Sequence, residues 1–252
     1  MEFNKNNLIL CNMNDYKIIL LVSIAGLATI LGNVVVLFKF KNRGGIISFS
    51  LGMAFVVMFL ISIIELIPNA LLLSKDNIIY KFFLPLFLLL IGYGLVILFD
   101  SNIKEGSSLY KVGILSMISL LIHNIPEGII CAMSSIKDID LGVKMTLVIM
   151  LHNIPEGICI SLPIYYSTGS RGKAFLYSLI CGLGEIVGAL FTLLFLKKYI
   201  NNFILYVIYL ITAGIMITLS TKKIMLEGLS YKKYLNFILG IIVGIVILVI
   251  TL

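Results

Sequence analysis

Two copies of one hexapeptide, HNIPEG, hold the side chains in this sequence best suited to chemistry: His123, Asn124 and Glu127 in the first, His152, Asn153 and Glu156 in the second. On a helix the His and Glu of each copy stand at i and i+4, and the Asn and Glu at i and i+3, so all three leave adjacent parts of one face. Imidazole nitrogen, amide oxygen and carboxylate oxygen together make a divalent cation site. The donor set suits Zn, Fe(II), Mn, Co or Cd; it is too rich in nitrogen for a dedicated Ca or Mg cage and lacks the thiolates of a Cu(I) site. Glu127 and Glu156, one from each copy, are placed to bridge two ions about 3.5–4 Å apart, which would make the centre binuclear.

The elements that must position these residues are greasy. The motifs are embedded in "ISLLIHNIPEGIICA" (118–132) and "LVIMLHNIPEGICIS" (147–161), and the chain of 252 residues is 60% hydrophobic and 12% charged, with mean hydropathy +1.13. Soluble domains do not combine these values, so the sequence predicts an all-α integral membrane protein. Apolar windows long enough to cross the hydrocarbon core fall at 18–38, 44–66, 82–99, 112–136, 143–166, 174–196, 199–221 and 234–252, giving eight transmembrane helices in one domain, 1–252. Spans four and five are consecutive and therefore antiparallel, so their motifs approach each other head to tail near mid-depth. Pro126 and Pro155 lack an N–H and clash with the carbonyls of Ile122 and Leu151, which predicts that helices four and five are kinked beside their histidines. Glu185, in "YSLICGLGEIVGALF" of span six, adds a third carboxylate near mid-membrane, and no basic residue lies near the middle of any span to pair with it, Lys144 standing at the very start of span five. At about 3 kcal/mol each near the bilayer centre, Glu127, Glu156 and Glu185 together cost roughly 9 kcal/mol, and a bound cation would offset that.

The net charge of +7 does not point to nucleic acid, because the 19 Lys and Arg are scattered through the loops. They set topology instead. With both termini extracytoplasmic, 11 of them (Lys39, Lys41, Arg43, Lys104, Lys111, Arg171, Lys173, Lys222, Lys223, Lys232 and Lys233) face the cytoplasm, the arrangement the positive-inside rule favours. The N-terminal stretch "MEFNKNNLILCNMNDYK" is expected to be a short extramembrane tail. Cys11, Cys131, Cys159 and Cys181 have no paired spacing. The last three share helix faces with Glu127, Glu156 and Glu185, where cysteine serves more often as a small hydrophobe than as a ligand.

The paired HNIPEG motifs resemble the ZIP (Zrt/Irt-like) metal transporters, most closely their bacterial ZupT-like branch. Further segments carry the likeness over nearly the whole chain: "AGLATILGN" in span one, "GMAFVVMFLISIIELIP" in span two, "LPIYYSTGSRGKAFLYSLICGLGE" through span six and "TAGIMITLS" in span seven. The resemblance implies a transporter of the cell membrane that takes up zinc, and often iron, manganese, cobalt or cadmium, as its substrate. It implies one metal site of His123, Glu127, His152 and Glu156, and a second of Asn124, Glu127, Asn153, Glu156 and Glu185. It also implies an entrance role for Glu65, dimers, and an elevator-like movement of spans one, four, five and six against the others. Two departures stand out: Ile186 follows Glu185 where relatives often have proline, and span seven ends in "STKKIM", with Lys222 and Lys223 where relatives are commonly acidic.

The alternative is a metal-dependent intramembrane hydrolase, since a binuclear centre can also activate water. The composition opposes it. Both histidines of the chain are spent as ligands, no HExxH motif occurs, and nothing is left as general base.

Overall fold

Helices make up nearly all of the computed structural model, which describes residues 13–38, 40–102, 107–195 and 202–251, and no strand occurs among them. Residues 1–12 of the N-terminal tail, Cys11 among them, lie outside the described residues together with Lys39 and Lys104, and the rest of that tail, 13–17, is the first part of a helix. Helix α1 runs Met13–Leu31 and tightens into a 3₁₀ turn at Gly32–Leu37. The others are α2 (Arg43–Leu72), α3 (79–102), α4 (Ser108–Lys137), α5 (Ile139–Thr168), α6 (Arg171–Leu194), α7 (Asn202–Ser230) and α8 (Tyr234–Thr251). Seven are long and apolar enough to cross a membrane, and α8 is a shorter apolar helix. This is the expected all-α membrane protein of about eight helices.

The helices outrun their apolar windows. Both α4 and α5 have 30 residues, about 45 Å at 1.5 Å per residue, against a hydrocarbon core of about 30 Å. The turn between them is a single residue. Asp138 ends α4 by donating its N–H to the Ser134 carbonyl (2.9 Å), and its side chain accepts from the Asp140 N–H to start α5 (3.0 Å). The stretch 139–142 is therefore helix and not loop, because hydropathy marks where lipid is and capping marks where the helix begins. Pro126 and Pro155 lie inside α4 and α5 without interrupting either helix. At its far end α5 stops at Gly169, whose φ of +69° is the left-handed conformation glycine accommodates.

Helices α1, α4, α5 and α6 pack as one bundle, α2 pairs with α8, and α3 pairs with α7. Helix α2 lies against α5 and α7 against α4. On α1 the lipid-facing stripe Leu20, Ile24, Leu27, Leu31 is exposed, while Ile18, Val22, Ala25 and Ala28 turn inward. This is the 3.6-residue periodicity of a helix with one packed face. Helices α2 and α7 share a feature the sequence did not announce. Each has a five-residue π turn, Ser62–Leu66 and Ser220–Ile224, followed by six residues of α-helix. The fourth residue of each turn is charged: Glu65 in α2 and Lys223 in α7. The π turn of α2 packs on α7 and that of α7 packs on α2, a reciprocity that marks a pseudo-twofold axis.

Candidate metal centre

Helices α4 and α5 deliver both motifs to one point in the bundle. His123, Asn124, Glu127, His152, Asn153, Glu156 and Glu185 are all buried, none more than 5% exposed, and no Lys or Arg among the described residues is buried with them. The centre of the cluster is Glu127 Oε1. His152 Nε2 lies 3.1 Å from it, and His123 Nε2 lies 2.8 Å from it without hydrogen-bond alignment. His123 Nε2 is also 3.9 Å from Glu156 Oε1. Two imidazoles from opposite helices thus converge on one carboxylate, and a second carboxylate stands just beyond.

The asparagines are held in mirror fashion. Asn124 donates its amide N–H to the Cys181 carbonyl on α6 (3.2 Å), and Asn153 donates to the Ala25 carbonyl on α1 (2.9 Å) and to Glu185 Oε1. A carbonyl only accepts, so the amide nitrogen must face it and each Oδ1 must face away. Neither Oδ1 has a partner. The same is true of Glu127 Oε2, both oxygens of Glu156, Glu185 Oε2 and both ring nitrogens of His123. A buried oxygen or nitrogen without a partner is expensive, and this many in one place form a set of lone pairs suited to a cation. Among the described residues no three His, Cys, Asp or Glu side chains are already arranged to hold a metal. The imidazoles close on Glu127 instead, so cation binding would exchange these contacts for coordination.

Close helix crossings press the donors together. A Cβ on Gly128 would meet the backbone of Glu185, and one on Gly157 would meet the backbone of Thr29. The motif glycines therefore let α6 and α1 lie directly against the motif helices. Gly26 and Gly182 do the same where α1 crosses α6.

Outside the cluster, Glu65 is half-buried on its π turn, within electrostatic reach of His152. Lys223 pairs with Asp100 at 2.5 Å, both side chains a little over a quarter exposed, so one of the two lysines in the "STKKIM" departure has its charge balanced. The cysteines find other partners: Cys131 Sγ lies 3.5 Å from Thr146 Oγ1, Cys159 Sγ 3.7 Å from Ser116 Oγ, and Cys181 Sγ 3.6 Å from Asn124 Nδ2. What the sequence reading missed is main chain. The Ala25 and Cys181 carbonyls orient the asparagines, and the only hint was the run of small residues around each.

A family model described as ZIP Zinc transporter matches residues 100–251. The chain is 32% identical to the zinc transporter ZupT of Streptococcus mutans over 92% of this chain and 95% of that one. It is 30% identical to the ZupT of Clostridium perfringens over 96% and 97%, and 34% identical to that of Escherichia coli over 82% and 84%.

Proposed function

From the premise that this chain belongs to the ZIP zinc transporter family, a family of transporters and not of enzymes, we propose that it moves divalent transition-metal ions across the membrane into the cytoplasm, with zinc its main substrate. Iron, manganese, cobalt and cadmium suit the same donors. The observation that carries the proposal is the buried cluster itself: two imidazoles, two amides and three carboxylates, most with unpartnered lone pairs, inside a multi-pass membrane protein.

On this reading His123, His152, Glu127 and Glu156 hold one ion. Asn124, Asn153 and Glu185, with the same two glutamates, hold a second. The chain acts as a single domain, with both termini extracytoplasmic. Glu65, on the π turn of α2, draws cations toward the histidines from the outer side. At the inner side the Asp100 carboxylate offsets Lys223, which would otherwise repel a departing cation. Release into the cytoplasm then requires the bundle of α1, α4, α5 and α6 to shift against the α2–α8 and α3–α7 pairs. Metal held between α4 and α5 would travel with the bundle.

Radiolabelled zinc uptake into proteoliposomes tests this. The wild-type chain should load zinc, and Glu127→Ala and Glu156→Ala should abolish uptake. Uptake that survives both substitutions sinks the proposal.

A further inference from the structure

The pseudo-twofold axis that relates α4 to α5 extends to their neighbours, with α6 corresponding to α1. In one half Asn124 donates to the carbonyl of Cys181, and four residues on, Gly128 seats the backbone of Glu185. In the other half Asn153 donates to the carbonyl of Ala25, and four residues on, Gly157 seats the backbone of Thr29. The α1–α6 crossing repeats the correspondence. A Cβ on Gly26 would stand 3.3 Å from Glu185 Cβ, and one on Gly182 would stand 3.4 Å from Thr29 Oγ1, each glycine lying three residues before its partner's counterpart. Residue for residue, Thr29 occupies on α1 the position that Glu185 occupies on α6.

The Thr29 side chain is fully buried, and its Oγ1 is the only hydroxyl among the buried side-chain atoms of the described residues that has no hydrogen-bond partner. Several other buried helix hydroxyls return to the carbonyl four residues back: Thr146 to Gly142, Thr192 to Gly188, Thr218 to Gly214, Ser135 to Cys131. The equivalent acceptor for Thr29 is the Ala25 carbonyl, and Asn153 already occupies it. The hydroxyl is left where α1 crosses α6, 3.4 Å from where a Cβ on Gly182 would stand, one turn before Glu185, while the Thr29 backbone lies against Gly157, which directly follows Glu156.

We propose that Thr29 supplies a metal-coordinating oxygen from α1, the neutral counterpart of Glu185. This rests on the reading of the cluster as a metal site and adds a fourth helix to it. A hydroxyl binds a divalent cation more weakly than a carboxylate and adds no charge, so Thr29 would complete the shell of the second ion, the one held by Asn124, Asn153 and Glu185, without tightening it as another carboxylate would.

The test uses the full-length chain in lipid nanodiscs. Zinc affinity and zinc uptake are measured for Thr29→Val, which keeps the shape and removes the oxygen, and for Thr29→Ser, which keeps the oxygen. Thr29→Val should weaken zinc binding about tenfold, as loss of one ligand-sphere contact does, while Thr29→Ser stays close to wild type. In Thr29→Cys, cadmium should produce a thiolate-to-metal charge-transfer band that the wild type lacks. The inference fails if Thr29→Val binds and transports zinc like the wild type, if the valine and serine forms are equally impaired, or if cadmium binds Thr29→Cys without the band. A wild-type chain that binds neither metal would instead refute the parent reading of the site.

Discussion

Replacing Asn153 by aspartate should turn a stable chain into one that depends on metal. The Asn153 amide nitrogen is the donor in two buried contacts, to the Ala25 carbonyl at 2.9 Å and to Glu185 Oε1. A carboxylate in its place sets acceptor against acceptor in both. Two hydrogen bonds at about 1 kcal/mol each are lost, and a further buried carboxylate costs about 3 kcal/mol. The sum is about 5 kcal/mol in the metal-free chain. For a protein of this size each kcal/mol lowers the melting temperature by about 2–4 °C, so Asn153→Asp should melt about 10–20 °C below wild type. Saturating zinc should recover most of that, because the new carboxylate is then an additional anionic ligand. Mild acid should recover part of it, because the introduced carboxyl, once protonated, gains an O–H that can again donate to the Ala25 carbonyl. Thermal melts followed by the fluorescence of a thiol-reactive dye, run with and without zinc and at both pH values, read all three. A metal-free Asn153→Asp chain that melts with the wild type would refute the account of how this amide is held.

Other expectations are local. Gly157→Ala places a methyl against the Thr29 carbonyl and 3.3 Å from Gly32 Cα, an overpacking between two backbones that should cost at least about 1–3 kcal/mol in melting experiments and abolish zinc uptake. Gly94→Ala meets nothing within 4 Å, and in the same assay should be neutral or stabilising by up to about 1 kcal/mol. Asp100→Asn should change stability by less than about 1 kcal/mol, since the pair is partly exposed. It should nonetheless slow zinc uptake by leaving Lys223 uncompensated, and Lys223→Met added to it should restore the rate. The Asp76 carboxyl, outside the membrane, is held below the usual carboxylate range by a hydrogen bond from Lys81 and by its charge. That contribution is present above the ordinary carboxylate pKa and is lost as pH falls through the lowered value. Lys81→Met should therefore leave uptake at neutral pH unchanged and alter melting only where Asp76 is ionised.

The eight helices and the convergence of the two motifs were legible because both are written in side-chain pattern: long apolar windows, and polar groups at i, i+3 and i+4 where lipid makes them costly. The helix ends were not, since Asp138 and Gly169 act through capping and backbone conformation that a hydropathy window averages away. The π turns around Glu65 and Lys223 left no trace in composition, because one extra residue per turn shifts the helix register without changing residue type. The roles of Ala25 and Cys181 were hidden for a related reason: each contributes a carbonyl, which every residue possesses. Thr29 stands inside "AGLATILGN", where nothing in residue type or spacing sets it apart, and only its pairing with Glu185 across the pseudo-twofold axis distinguishes it.

The most direct test of the central claim, that the two HNIPEG motifs together form one metal centre, is X-ray absorption fine structure at the zinc edge of the loaded chain. The account predicts a first shell of nitrogen and oxygen at about 2.0–2.2 Å with imidazole back-scattering, and loss of that imidazole signal in the His123→Ala, His152→Ala double variant. A shell dominated by sulfur at about 2.3 Å, or an imidazole signal unchanged in the double variant, would contradict it.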